Sequence, residues 1–225
     1  MKNKILFCYI LIILALVLNG CQGNSKQTKN SDSRIVSSDT QSYEENEILI
    51  AYFSRVGNTN FDSDVDTNTS ASLQLTDEGI KGNAQLIGEE IQELTGGDLL
   101  LIHTASLYSQ DYQETVDESH RENNENILPK LDMSIDNLDQ YKMIYLVYPT
   151  WSSDLPKAVS SFLTEYSLTG KQIIPICTHG GYGWGNSLET IQTLCKDATV
   201  LEGIDIPDDE ISNIKQLLSD FLNGN

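Results

Sequence analysis

Basic residues are scarce in this chain: 14 Lys and Arg stand against 33 Asp and Glu. Five of those cations and only two of the anions fall within residues 1–40, which leaves nine and 31 for the remainder, a net charge of −22. So acidic a domain excludes nucleic acid as a partner, because binding it requires a cationic surface. The same balance permits docking to basic partner proteins, although many acidic surfaces serve only solubility. Cysteine is also sparse. Beyond residue 21 only Cys177 and Cys195 remain, too few for a disulfide framework, and both are expected as buried small hydrophobes. The three histidines, His103, His120 and His179, are scattered without ligand spacing, so no metal site is expected.

Long apolar runs are missing too, with one exception at the start. Lys2 and Lys4 precede an unbroken stretch from Ile5 to Leu18, too short to cross a bilayer comfortably and suited to a signal-peptide core. Leu18-Asn19-Gly20-Cys21 resembles the bacterial lipobox, which implies cleavage before Cys21 and a lipid on it. The expected location is then exported and lipid-anchored, at the outer face of the cytoplasmic membrane or on the periplasmic side. An ordinary secretory signal with a chance cysteine is the alternative. Residues 22–46 offer almost nothing to bury and are expected as a disordered tether, reaching roughly 25–30 Å as a flexible coil. Residues 47–225 suit one domain.

Within that domain dense apolar runs alternate with helical periodicity. Strands are expected at 47–54, 98–104, 142–148, 172–177 and 199–206, and helices at 83–95, 155–166, 186–196 and 208–222. Gly96-Gly97 stops the first helix. The polar stretch 105–141 carries no assigned element. This order implies an α/β fold of three layers, with parallel strands and helices on both faces. Residues 60–80 are polar, lack regular periodicity, and are too long for a strand-to-helix loop; they read as an insertion, either functional or a plain surface loop.

Three loops leave the carboxyl edge of the expected sheet, where doubly wound folds bind ligands. The first holds Ser54, Arg55, Gly57, Asn58 and Thr59, and after the insertion Gly82-Asn83-Ala84 open a helix. Hydroxyls, a cation and free N–H groups at a helix start make an anion site, although glycine–asparagine pairs also serve plain turns and caps. The second loop, Pro149-Thr150-Trp151-Ser152, sets a tryptophan where it can wall a planar ring or simply pack. The third, Thr178-His179-Gly180-Gly181-Tyr182-Gly183, lets backbone approach a flat ligand, with Tyr182 and Trp184 available to cover it. A dinucleotide reading of Gly181-Tyr-Gly183 with Glu202 lacks its third glycine, since Asn186 stands there.

YFSRVGNT, KGNA, YPTW and CTHGGYGWG together resemble the three FMN-binding loops of the flavodoxin family, over essentially all of residues 47–206. The resemblance implies a flavodoxin-like, doubly wound, five-stranded parallel sheet in the order 2-1-3-4-5. It also implies FMN phosphate at Ser54, Arg55 and Gly82-Asn83-Ala84, and an isoalloxazine between the second and third loops. Whether Gly57–Thr59 or Gly82–Ala84 holds phosphate is left open by the insertion, and the helix favours the latter. The expected function is FMN-dependent electron transfer to an unidentified redox partner protein or small acceptor, with no catalytic side chain assigned. The alternatives are an NAD(P)H-dependent flavin or quinone oxidoreductase, with His179 as a proton donor and the insertion as a lid, and a binding lipoprotein whose flavin site has decayed.

Overall fold

The computed structural model describes residues 43–62 and 72–224. Cys21, the signal-like run, the expected tether up to residue 42 and residues 63–71 of the insertion lie outside them. Among the described residues, no helix is long and apolar enough to cross a membrane. The folded unit begins a little before the expected boundary. Tyr43 packs against the core, and Glu47 accepts from Lys142 through both its carbonyl and its carboxylate.

Eight strands and five helices make up the described part of the domain. In chain order they are β1 (Ile48–Tyr52), β2 (Leu73–Thr76), β3 (Gly79–Gly82), α1 (Asn83–Thr95), β4 (Asp98–Leu101), α2 (Tyr112–Glu125) and β5 (Met143–Pro149). Then come α3 (Lys157–Glu165), β6 (Gln172–His179), α4 (Ser187–Leu194), β7 (Thr199–Val200), β8 (Ile204–Pro207) and α5 (Ile214–Leu222). The main sheet runs β4-β1-β5-β6, all parallel, and β7 and β8 share the next position against β6. Counted by position this is the order 2-1-3-4-5, but with six strands rather than five. The closing segment is a 3-10 turn over Asp208–Asn213 before α5, so the last helix starts later than its periodicity suggests.

Side-chain alternation produces the three layers. Leu49, Ala51, Ile144, Leu146, Tyr148, Ile173 and Cys177 face one side, where Val159 and Phe162 of α3 and Ile191 of α4 cover them. Ile48, Ile50, Met143, Tyr145, Val147, Ile174 and Ile176 face the other, against Ile87 and Ile91 of α1 and Leu218 of α5. Period-2 strands with both faces apolar can be satisfied only by helices on both sides. Both cysteines are free and buried, and burial pushes the Cys177 thiol up to about 12.

The split outer strand has a local cause. Ile173 pairs with Val200 and Ile176 with Ile204, so three steps along β6 face four along its neighbour. The extra residue falls opposite Pro175, which has no N–H to offer a ladder. Gly203 fills the gap so closely that a Cβ there would lie 1.9 Å from the Pro175 carbonyl oxygen.

Two further features depart from expectation. The insertion ends in an antiparallel hairpin, Leu73 opposite Gly82 through Thr76 opposite Gly79, and this hairpin delivers the chain into α1. The stretch 105–141 contains the whole of α2, whose residues are too polar to announce a core-facing helix. Its start is fixed by Asp111, which accepts from the Glu114 N–H at 2.9 Å.

Gly203→Ala must push one backbone into another, an overpacking cost of about 1–3 kcal/mol. It should lower the urea midpoint without changing the slope of the transition.

Candidate functional site

Strands β1, β5 and β6 end at one edge of the sheet, and the chain after each is fixed by side chains rather than left loose. Asn58 uses its whole amide. Its Nδ2 donates to the carbonyls of Ser54 and Ile102, both at 2.9 Å, and its Oδ1 accepts from the N–H and hydroxyl of Thr104 at 2.8 and 3.0 Å. Fully buried, it clips the exit of β1 to the exit of β4 and has nothing left for a ligand. Gly57 at φ +89° allows the turn, and a Cβ there would meet Leu101 at 2.5 Å. Thr59 bridges Val56 and Tyr108 through its backbone, and its buried hydroxyl has no partner among the described residues.

Arg55 is almost wholly buried. Its Nη2 donates to the carbonyls of Ser109 and Gln110 at 3.1 Å and to the Thr115 hydroxyl at 3.5 Å, with Phe61 5.1 Å below the guanidinium. It therefore anchors the start of α2 to the first loop. Ser54 accepts from the Val56 N–H and abuts Gly82, where a Cβ would fall 1.8 Å from its hydroxyl. The Asn83 N–H, first of the helix donors, is taken by the Ser72 carbonyl at 2.9 Å. The hairpin thus covers part of the helix start that the bare sequence offers to an anion.

The second and third loops are latched. Thr150 Oγ1 donates to the Gly183 carbonyl at 2.9 Å, and the Thr150 N–H to the Thr178 carbonyl at 2.8 Å. Trp151 is held edge-on by Phe53 and Tyr108, at ring separations of 5.2 and 5.3 Å. After it, Ser152 and Ser153 stand at φ +49° and +61°, an unfavourable backbone for two non-glycine residues. Ser153 lies against Gly185, and its carbonyl accepts from the Asn186 N–H at 2.8 Å, while Ser152 meets Ser119 of α2 at 3.0 Å. His179 accepts from the Gly181 N–H at Nδ1 (3.0 Å), so its Nε2 carries the proton and donates to Asp205 at 3.1 Å. Both ring nitrogens are hydrogen-bonded, one within the third loop and one across to Asp205 of β8.

These pieces enclose a cleft of about 430 Å³, within the usual size of small-molecule sites. Its walls include Arg55, Pro149, Thr150, Trp151, Ser152, Thr178, His179, Gly180 and Tyr182. Ser54, Asn58, Thr59, Gly82, Asn83, Ala84, Gly181 and Gly183 stand behind or beside those walls. The sequence reading missed Ser72 and the α2 face of Tyr112, Thr115, Val116, Ser119 and His120. Spacings of three and four along 112–120 were the available signal. Thr178 Oγ1 is buried without a partner among the described residues, and Tyr182 is 78 % exposed at the mouth.

A family model for flavodoxin matches residues 75–220, more than half of the chain. The chain belongs to the flavodoxin family. The match begins within the hairpin, so β1 and the first loop lie outside it. Among solved structures, a candidate flavoprotein from Bacteroides eggerthii DSM 20697 is 23% identical, with TM-score 0.55, covering 77% of this chain and 98% of its own. A second, from Bacteroides uniformis ATCC 8492, is 21% identical at TM-score 0.57, with coverages of 78% and 99%. A flavoprotein from Lactobacillus acidophilus NCFM, solved in complex with FMN, is 16% identical at TM-score 0.51, with coverages of 75% and 97%. At these identities the likeness is one of fold. No curated protein matches the chain.

On the far side of α2, burial pushes the Glu122 carboxyl of this flavodoxin-family domain up to about 7, against a pull downward from the Tyr108 hydroxyl. The folded state then holds a proton that the unfolded chain releases, so stability falls as pH rises from about 4.5 to about 7. The slope is at most about 1.4 kcal/mol per pH unit, and urea midpoints should lose it in Glu122→Gln. Asn58→Ala, by stranding buried partners, should cost at least about 2 kcal/mol of stability. A variant that kept its stability and lost only ligand affinity would contradict the clip.

Proposed function

We propose that this domain binds FMN and serves as an electron carrier, held at a membrane surface by a lipid on Cys21. The observation that carries the cofactor assignment is the latched cleft: two backbone-rich loops joined by Thr150 and Gly183, the first of them carrying an indole held rigidly by Phe53 and Tyr108. A planar ring of flavin size suits that space. The FMN complex of the L. acidophilus flavoprotein, a fold neighbour, supports the choice, as does the family match. The tether rests on sequence alone, through the lipobox-like Leu18–Cys21.

The residues present fit the group. The Thr178 hydroxyl in the cleft wall, without a partner among the described residues, suits the polar edge of an isoalloxazine. Trp151 and the exposed Tyr182 would cover its faces, and backbone N–H groups of the Gly180–Gly183 loop would face its nitrogens. The phosphate would lie toward Ser54, Arg55 and Ser72 at the approach to Gly82-Asn83-Ala84. FMN, when bound, supplies the one- or two-electron chemistry. The protein contributes placement, exclusion of water, and a net charge that disfavours further negative charge on the ring and so lowers its potential. In this reading His179 holds its loop through the Gly181 N–H and Asp205.

The domain, incubated with FMN and desalted, should retain visible flavin absorption, reduced by dithionite and only slowly by NADH or NADPH. Rapid bleaching by a pyridine nucleotide would reassign it as a reductase, and a colourless protein would defeat the cofactor assignment. Trp151→Ala should weaken FMN binding about tenfold; a loss below about threefold would count against stacking.

A further inference from the structure

Helix α2 separates two hollows. One is the FMN-sized cleft. The other, about 460 Å³, is lined by Leu107, Tyr108, Glu118, Glu122, Leu128 and Lys130 among others. Tyr108 connects the two. Its ring meets Trp151 edge-on at 5.3 Å, and its hydroxyl donates to both Glu122 carboxyl oxygens at 3.2 and 3.3 Å. Glu122 is only 3% exposed, yet it borders the second hollow, through which it can exchange a proton with water. A continuous path of contacts therefore leads from that hollow through Glu122, Tyr108 and Trp151 into the cleft.

We propose that Glu122 and Tyr108 are positioning residues for the cleft, coupling the protonation of a buried carboxyl to the tryptophan that walls the planar ligand. The chemistry is a single proton leaving or rejoining Glu122 through the second hollow. Tyr108 keeps its proton throughout, because burial and the neighbouring carboxylate push its hydroxyl far above the usual range. Around Glu122, Glu118 opposes ionisation while Arg121 and, from α3, Lys157 favour it; burial outweighs them and sets the titration close to neutral. Lys130 borders the same hollow. His120 faces the cleft from the opposite side of α2, so its replacement is the control for Glu122. Ionised, Glu122 sets an unshared charge behind Tyr108 and turns a neutral hydrogen bond into a charge-assisted one. Either change reaches Trp151 through the ring contact.

The test has an arm without cofactor and one with it, because only the second rests on the FMN reading. In a Trp184→Phe background Trp151 is the sole tryptophan, since the chain has two. Its emission in the apoprotein, measured from pH 5 to 9, should change sigmoidally near pH 7. The change should vanish in Glu122→Gln and in Tyr108→Phe and survive His120→Asn. A flat wild-type profile overturns the proposal, as does one that persists in Glu122→Gln or disappears only in His120→Asn. Tyr108→Phe decides the matter if Glu122→Gln fails to fold. In the second arm, the ratio of FMN dissociation constants between wild type and Glu122→Gln should change at least about threefold from pH 6 to pH 8. An unchanged ratio overturns the coupling to ligand. Failure of every variant to bind FMN defeats the cofactor reading alone, and the apoprotein titration then decides the proposal.

Discussion

One buried amide sets the geometry of the carboxyl edge. Asn58 accepts and donates at full capacity, joining the chain after β1 to the chain after β4. Beyond the end of a parallel strand the ladder gives no further support, so the position of each departing loop must come from side chains. Because Asn58 fixes 54–59, Arg55 can reach Ser109, Gln110 and Thr115 and so place the first turn of α2. That helix then forms the outer wall of the cleft. An amide that looks like a ligand contact is thus a structural clip whose effect on the site is indirect.

The rest of the site is built by the same logic of mutual restraint. Thr150 and Gly183 hold two loops at a fixed separation. Three aromatic rings at near-perpendicular angles, Phe53, Tyr108 and Trp151, lock the indole. Two consecutive serines in the left-handed region store backbone strain beside the cleft, held in place by Gly185 and Asn186. Strain of this kind persists only where the surroundings over-determine the conformation, and it gathers at functional positions. Rigidity here favours a pre-formed site, which lowers the entropy cost of fixing a flat ligand.

Helix α2 lay hidden because its buried positions are Thr115, Ser119 and Glu122, none of which signals a core face. Its polar residues pack because each finds a specific partner: Arg55 for Thr115, Ser152 for Ser119, Tyr108 for Glu122. The hairpin 73–82 was equally illegible, since Gly79 and Gly82 interrupt any alternation. The loops after β5 and β6 were legible because proline, tryptophan and glycine each constrain backbone or ligand in ways that need no tertiary partner.

Alternating apolar runs determined the three-layer parallel fold by themselves, since a strand apolar on both faces must be covered on both. Local chemistry at 149–152 and 178–183 marked two loops that line the cleft. Only the tertiary structure decided which polar groups line that cleft and which are consumed inside the protein. A hydrogen-bonding side chain carries the same identity in either role. For Asn58, His179 and Glu122 the difference lies in partners 14 to 46 residues away in sequence, which packing alone brings within reach.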